Sequence, residues 1–92
     1  MELQLSENET KGSFYAIEDN VRIGEITFSK AGTDRIIIDH TEVSEDWKGF
    51  GVGDAMVREA VRVARERKIS IIPLCVFARS VFEKNPELRD VL

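Results

Sequence analysis

Three glycines at alternate positions, Gly49, Gly51 and Gly53, separate an apolar run, Ile36–Ile38, from an amphipathic stretch that begins near residue 52. Glycine lets a backbone turn sharply and approach a ligand closely, because no Cβ intervenes. A strand that ends in such a turn and leads straight into a helix leaves unpaired amides and a partial positive charge at the helix start. Asp39–Gly53 therefore reads as strand end, glycine turn and helix N-terminus, an arrangement that suits the pyrophosphate of a cofactor.

The elements before the turn are short and close together. Glu2–Ser6 alternates, with Leu3 and Leu5 on one side, as a half-buried strand does. Glu7–Gly12 is a polar turn, and Ser13–Glu18 is a second strand carrying Phe14, Tyr15, Ala16 and Ile17. Glu18-Asp19-Asn20 predicts a tight turn, since Asp and Asn tolerate left-handed backbone. Val21–Ser29 is a third strand with a phase slip: Val21 and Ile23 are odd-numbered, Ile26 and Phe28 even. Gly24 sits at the slip and predicts a β-bulge. After the turn Lys30–Asp34 comes a fourth strand, Arg35–Val43, whose three isoleucines imply burial on both faces and a central place. Strands so closely spaced predict an antiparallel meander.

Beyond the turn, Gly53–Arg67 has apolar residues at 52, 55, 56, 57, 60, 61, 63 and 64, the broad stripe of a helix on a core. Asp54, Arg58, Glu59, Arg62, Arg65 and Glu66 form its solvated face, and Lys68 closes it. Ile69–Leu74 is a fifth strand, parallel to the fourth because a helix links them. Pro73 cannot donate to a ladder and predicts that the two strands part there. Val76–Lys84 has helical spacing, Asn85-Pro86 stops it, and Glu87–Leu92 has room for one more helical turn. The fold class is α+β, with residues 1–92 as one domain.

Bulk properties exclude several roles. A net charge of −4 argues against a nucleic-acid partner, whose binders carry a basic face. No apolar stretch reaches membrane-span length, and Met-Glu-Leu-Gln-Leu-Ser-Glu lacks the basic start and apolar run of a signal peptide, so a cytoplasmic protein is expected. One Cys allows no internal disulfide, and one His with one Cys is too few for a His/Cys metal site, so no metal is expected.

Two phosphate motifs fail on one residue. A Walker A loop needs Gly-Lys-Ser/Thr, and a dinucleotide turn needs a third glycine at the sixth position; in Gly49-Phe50-Gly51-Val52-Gly53-Asp54 that position is Asp54. Nor does the next strand end in the acidic residue of a ribose binder; it ends Leu74-Cys75. Lys48-Gly49-Phe50-Gly51-Val52-Gly53 instead resembles the Arg/Gln-x-x-Gly-x-Gly/Ala signature of the GNAT superfamily of acyl-CoA-dependent N-acetyltransferases. The element order is similar too. Within the superfamily the chain looks like a small single-domain group with His-Thr-x-Val-Ser before the turn and Cys-x-Phe-Ala after the next strand, here His40-Thr41-Glu42-Val43-Ser44 and Cys75-Val76-Phe77-Ala78.

The resemblance implies acetyl transfer from acetyl-CoA to an amine on a small molecule or a protein. It implies that Lys48, Gly49, Phe50, Gly51, Val52 and Gly53 hold the pyrophosphate, and that the fourth and fifth strands splay to admit the pantetheine arm. It also implies that the Val43 backbone bonds that arm and that Ala78 lies at the cofactor. Lys48 stands where Arg or Gln is usual and meets phosphate as a point charge rather than a fork. The helices that ordinarily lie between strands one and two and line the acceptor site have no counterpart, so the acceptor groove is expected to be open or completed by a partner. A module that binds CoA without turnover is the competing expectation, and the oligomeric state, including a monomer, stays open.

For the chemistry, a lysine at pKa ~10.4 costs about 4.6 kcal/mol to neutralise at pH ~7, whereas a terminal amine near ~7.8 costs only about 1 kcal/mol. A lysine acceptor therefore needs a base. His40, placed by strand alternation on the face of Ile36 and Ile38, is either a base or proton relay, or a buried hydrogen-bonded support for the turn. Cys75, ending the neighbouring strand where the resemblance puts the thioester, is a proton relay, a covalent acetyl carrier, or a small buried hydrophobe. The two end adjacent strands, which makes a His40–Cys75 pair geometrically possible. Glu42, Glu45 and Asp46 read as solvated loop charges, Trp47 as a cover for adenine or for the core, and Phe77 and Phe82 as core.

Overall fold

A computed structural model describes all 92 residues. The elements are β1 (Glu2–Glu7), β2 (Lys11–Glu18), β3 (Val21–Lys30), β4 (Arg35–Val43), a short 3-10 turn at Glu45–Trp47, α1 (Val52–Arg67), β5 (Ser70–Pro73), α2 (Val76–Lys84) and a 3-10 segment, Pro86–Val91. The sheet order is the chain order, β1-β2-β3-β4-β5, antiparallel until β5 joins β4 in parallel. This is the expected meander with a parallel fifth strand.

Each connection has a local cause. The Asn8 side-chain carbonyl accepts the amides of Thr10 and Lys11, both at 2.9 Å, which closes the β1–β2 turn. Asp19 and Asn20 take φ of 52° and 63°, so a two-residue turn joins β2 and β3 with the strands' own twist. Lys68 ends α1 in a left-handed cap at φ 59°, and the Ile69 amide returns to the Ala64 carbonyl at 3.0 Å.

All helical elements lie on one face of the sheet. Twenty buried apolar residues form a single cluster there, with Phe14, Ile26, Ile38 and Ile71 from the strands, Met56 and Val57 from α1 and Phe82 from α2 among them. The opposite face has no buried residue; polar side chains share it with the half-buried Ile17, Ile37 and Ile72. On it the Tyr15 hydroxyl donates to Gln4 Oε1 at 2.9 Å, and the Arg22 guanidinium sits 4.0 Å over the Tyr15 ring. Ile37, expected to be buried on that side, is only half-buried.

The sheet carries two bulges. Ala16 faces Gly24 and Ile17 faces Arg22, so Ile23 is the extra residue of the slip expected at Gly24. The second was not expected: Thr27 faces His40 and Phe28 faces Ile38, leaving Asp39 unpaired in β4. A bulge residue reverses the in/out alternation downstream. Hence Ile36 and Ile38 point to the helices, and after Asp39 it is the odd-numbered Thr41 and Val43 that do so, while His40 and Glu42 are exposed.

Candidate active site

β4 and β5 pair only as far as Ile38 and Pro73. The amides of Leu74 and Cys75 both converge on the Ile38 carbonyl, at 3.1 and 3.3 Å, and the strands then separate. Pro73 has no donor to lose at this fork. Beyond it β4 keeps its β3 partner but has none on the other side. The Ser44 amide reaches the Ile23 carbonyl at 2.8 Å, which makes Gly24–Val43 and Ile26–Thr41 the pairs without mutual hydrogen bonds. The amides and carbonyls of Thr41 and Val43 therefore point into the gap that β5 vacates.

The glycine turn forms one end of this gap. Gly49 and Gly51 have φ of 86° and 79°, values that a side chain rarely adopts, and an added Cβ at either would meet nothing within 4 Å. Gly51 caps α1 without any side-chain cap bond, and the first bond of the helix runs from the Ala55 amide to the Gly51 carbonyl at 2.9 Å. The amides of Val52, Gly53 and Asp54 thus face outward at the positive end of the helix. Asp54 beside them is neutralised by Arg58, whose Nε lies 2.8 Å from its carboxylate. Gly53 is a different case. It lies inside the helix, and a Cβ there would stand 2.5 Å from Phe77 Cζ.

Thr41, Val43, Trp47, Lys48, Val52, Phe77 and the three glycines line a cleft of about 460 Å³ on the helix side of the gap. On the opposite face a hollow of about 570 Å³ is bounded by Arg22, Glu25, Glu42 and Ser44, and it shares Thr41, Val43 and Lys48 with the cleft. The gap thus opens toward both faces of the sheet. Lys48 Nζ is 2.9 Å from Glu45 and lies at the junction.

At the other end stands Cys75, half-buried as the N-cap residue of α2. Its Sγ is 3.3 Å from Thr41 Oγ1. Burial pushes the thiol up. The Thr41 hydroxyl and the amides of Ala78, Phe77 and Thr41 outweigh it, and the net shift is downward.

The sequence-predicted residues divide. Val43, Lys48, Gly49, Gly51, Val52 and Gly53 come together around the cleft. Phe50 does not line it: its ring packs edge-on against Trp47 at 5.5 Å and is 70% exposed. The Ala78 side chain is in the core, and only its amide turns to Cys75. His40 requires a correction. It is neither on the face of Ile36 and Ile38 nor buried; the Asp39 bulge turns it to the open face, where its side chain is 65% exposed and 3.6 Å from Glu42. The thiol's partner is Thr41, not His40. Phe77, expected in the core, is 42% exposed and walls the cleft. Thr41 was legible in principle: Ile36 and Ile38 are even-numbered and Val43 is odd, the same signal that marked Gly24.

Residues 13–91 match the family model of the GCN5-related N-acetyl-transferases. A GCN5-like protein of Staphylococcus aureus, solved in solution, is 37% identical with a TM-score of 0.71, covering 97% of this chain and 86% of its own. The ribosomal-protein-alanine N-acetyltransferase of Brucella melitensis shares the fold at 20% identity and a TM-score of 0.71; 85% of this chain aligns, spanning only 62% of that enzyme. An aminoglycoside 6'-N-acetyltransferase complexed with coenzyme A aligns at 15% identity and a TM-score of 0.61 over 70% of this chain and 37% of its own. No curated protein matches the sequence. A mixed five-stranded sheet that forks after β4, with a glycine turn capping the next helix, is thus joined to a family match over most of the chain, and the chain belongs to the GCN5-related N-acetyltransferase family.

Proposed function

We propose that the protein transfers an acetyl group from acetyl-CoA to an amine. The observation that carries this reading is the fork itself, with outward amides of α1 at one end, the Thr41 and Val43 backbone along it, and Cys75 at the other. The residues suit the cosubstrate. The amides of Val52, Gly53 and Asp54, with Lys48 as a point charge, hold the pyrophosphate. Thr41 and Val43 offer strand-like hydrogen bonds to the amides of the pantetheine arm. The thioester, which supplies an activated acetyl carbon, then ends beside Cys75.

The acceptor amine approaches through the hollow on the open face, since the cleft on the helix side is taken by the cosubstrate. We assign His40, 3.6 Å from the hollow's Glu42, the role of taking a proton from an arriving ammonium, and Cys75 that of protonating the departing CoA sulfur or of taking the acetyl itself. A single thiol in the chain suits a reducing compartment, and we assign the activity to the cytoplasm.

Acetyl-CoA at a hundredfold excess over its Kd should stabilise the fold by about 2.7 kcal/mol, read as a rise in Tm. Gly51→Val should abolish that rise, because the φ of 79° excludes a branched side chain. Absence of both heat and stabilisation on titration would sink the reading. A second reading, CoA binding without turnover, is favoured by the β1–β2 connection. That connection is only a turn around Asn8–Thr10, so no helix from it walls an acceptor site. Binding without release of CoA thiol, across terminal amines, lysines and polyamines, would select it.

A further inference from the structure

We propose that Thr41 is the positioning residue of the thiol at the fork, holding Cys75 Sγ toward the gap between β4 and β5 through its hydroxyl. Three observations converge on it. The Asp39 bulge puts Thr41, rather than His40, on the helix face at the register of the fork. Thr41 Oγ1 is the side-chain atom hydrogen-bonded to Sγ, at 3.3 Å. The backbone of the same residue points into the gap, so the group that orients the thiol also borders the path assigned to the pantetheine arm.

A hydroxyl is suited to this task in either protonation state. It accepts from the thiol S–H, and it rotates to donate to the thiolate once the proton has left. Two amides of the first turn of α2, at Phe77 and Ala78, and the Thr41 amide itself complete the set around the sulfur. No charged side chain is among them. On α2, Arg79 is committed to the carbonyls of Pro73 and Leu74, at 3.4 and 3.1 Å. On β4, His40 and Glu42 face the other side of the sheet. On the glycine turn and α1, Lys48 and Asp54 are held by Glu45 and Arg58. Neutral donors alone therefore govern the sulfur, and Thr41 supplies the only one that rotates.

The inference rests on the acetyltransferase reading for its consequence but is tested without acetyl-CoA. The probe is the pH dependence of Cys75 alkylation by iodoacetamide. Loss of one hydrogen bond to a thiolate should raise the midpoint by about one pH unit in Thr41→Val. Thr41→Ser should restore the wild-type midpoint, and His40→Ala should leave it in place. If Thr41→Val fails to fold, Thr41→Ala carries the same expectation. An unchanged midpoint in the hydroxyl-free variant, or an equal shift in His40→Ala, would overturn the assignment. A wild-type protein that ignores acetyl-CoA yet shows the Thr41 shift would refute the acetyltransferase reading and leave this one standing.

Discussion

Gly53→Ala tests the packing between the two helices that flank the cleft. Inside an exposed helix this change stabilises by about 1 kcal/mol, because alanine loses less backbone entropy than glycine. Here the new methyl would stand 2.5 Å from Phe77 Cζ and 2.7 Å from Cε2, far inside van der Waals contact. Phe77 belongs to α2 and is 42% exposed, so its ring swings outward rather than forcing the helices apart. Such overpacking costs roughly 1–3 kcal/mol. The two effects oppose, and the single variant should fall between neutral and about 2 kcal/mol destabilised. In a Phe77→Ala background the clash is gone, and the same substitution should stabilise by about 1 kcal/mol. The double-mutant cycle therefore carries a coupling of about 1–3 kcal/mol, measured by urea unfolding followed by circular dichroism. Gly51→Ala supplies the contrast. It suffers from its φ of 79° but has no neighbour within 4 Å, so its cost should be independent of Phe77. A Gly53–Phe77 coupling below about 0.5 kcal/mol would refute the claim that the third glycine serves helix packing.

Glu7 sits between Arg67 and Lys30, at 2.7 and 2.8 Å, and their hydrogen bonds hold its carboxyl down from 4.5 to about 2. A depressed carboxyl stabilises fully above its unfolded value and loses that contribution as pH falls from about 4.5 toward 2. Glu7→Gln should cost on the order of 2 kcal/mol near neutral pH, after allowance for solvent screening, and should flatten the acid limb of the stability–pH curve. At Gly24 a Cβ would lie 2.9 Å from Val52 Cγ1 and 3.0 Å from Met56 Cε, so Gly24→Val should destabilise by about 2 kcal/mol or more in thermal unfolding. Cys75→Ala should lower acetyl-CoA-dependent thiol release at least tenfold with its Kd little changed, and full activity in that variant would exclude an acetyl-cysteine route.

Much of this fold could be read from local signals. Asp19-Asn20, Pro73 and Asn85-Pro86 each mark a point where a residue's backbone preference decides the structure and one element gives way to the next, while Gly24 marks the β3 bulge, where Val52 and Met56 leave no room for a Cβ. The amphipathic stripe placed α1 within a residue of its observed start. The Gly–Phe packing was not legible, because Phe77 and Gly53 are far apart in sequence and only the approach of α2 to α1 brings them together. His40 was misplaced for a simpler reason. Regular alternation along β4 puts His40 on the face of Ile36 and Ile38, and one unpaired residue, Asp39, reverses the faces of all that follows. The turn residues Lys48–Gly53 were legible as a motif, yet their roles differ: Gly49 and Gly51 permit a backbone turn, Gly53 permits a ring to pack, and Phe50 extends into solvent.

The agreement of sheet order with chain order has a kinetic meaning. Every antiparallel pairing joins strands separated by a few residues, so the meander can close hairpin by hairpin on the fast timescale of local contacts. Only the β4–β5 pairing must wait for the whole of α1 to form and lie down, and it secures that join with four residue pairs. The fork is built on this slowest and shortest ladder. It should be the first part of the sheet to exchange its amides with solvent and the part whose protection rises most when a ligand fills the gap.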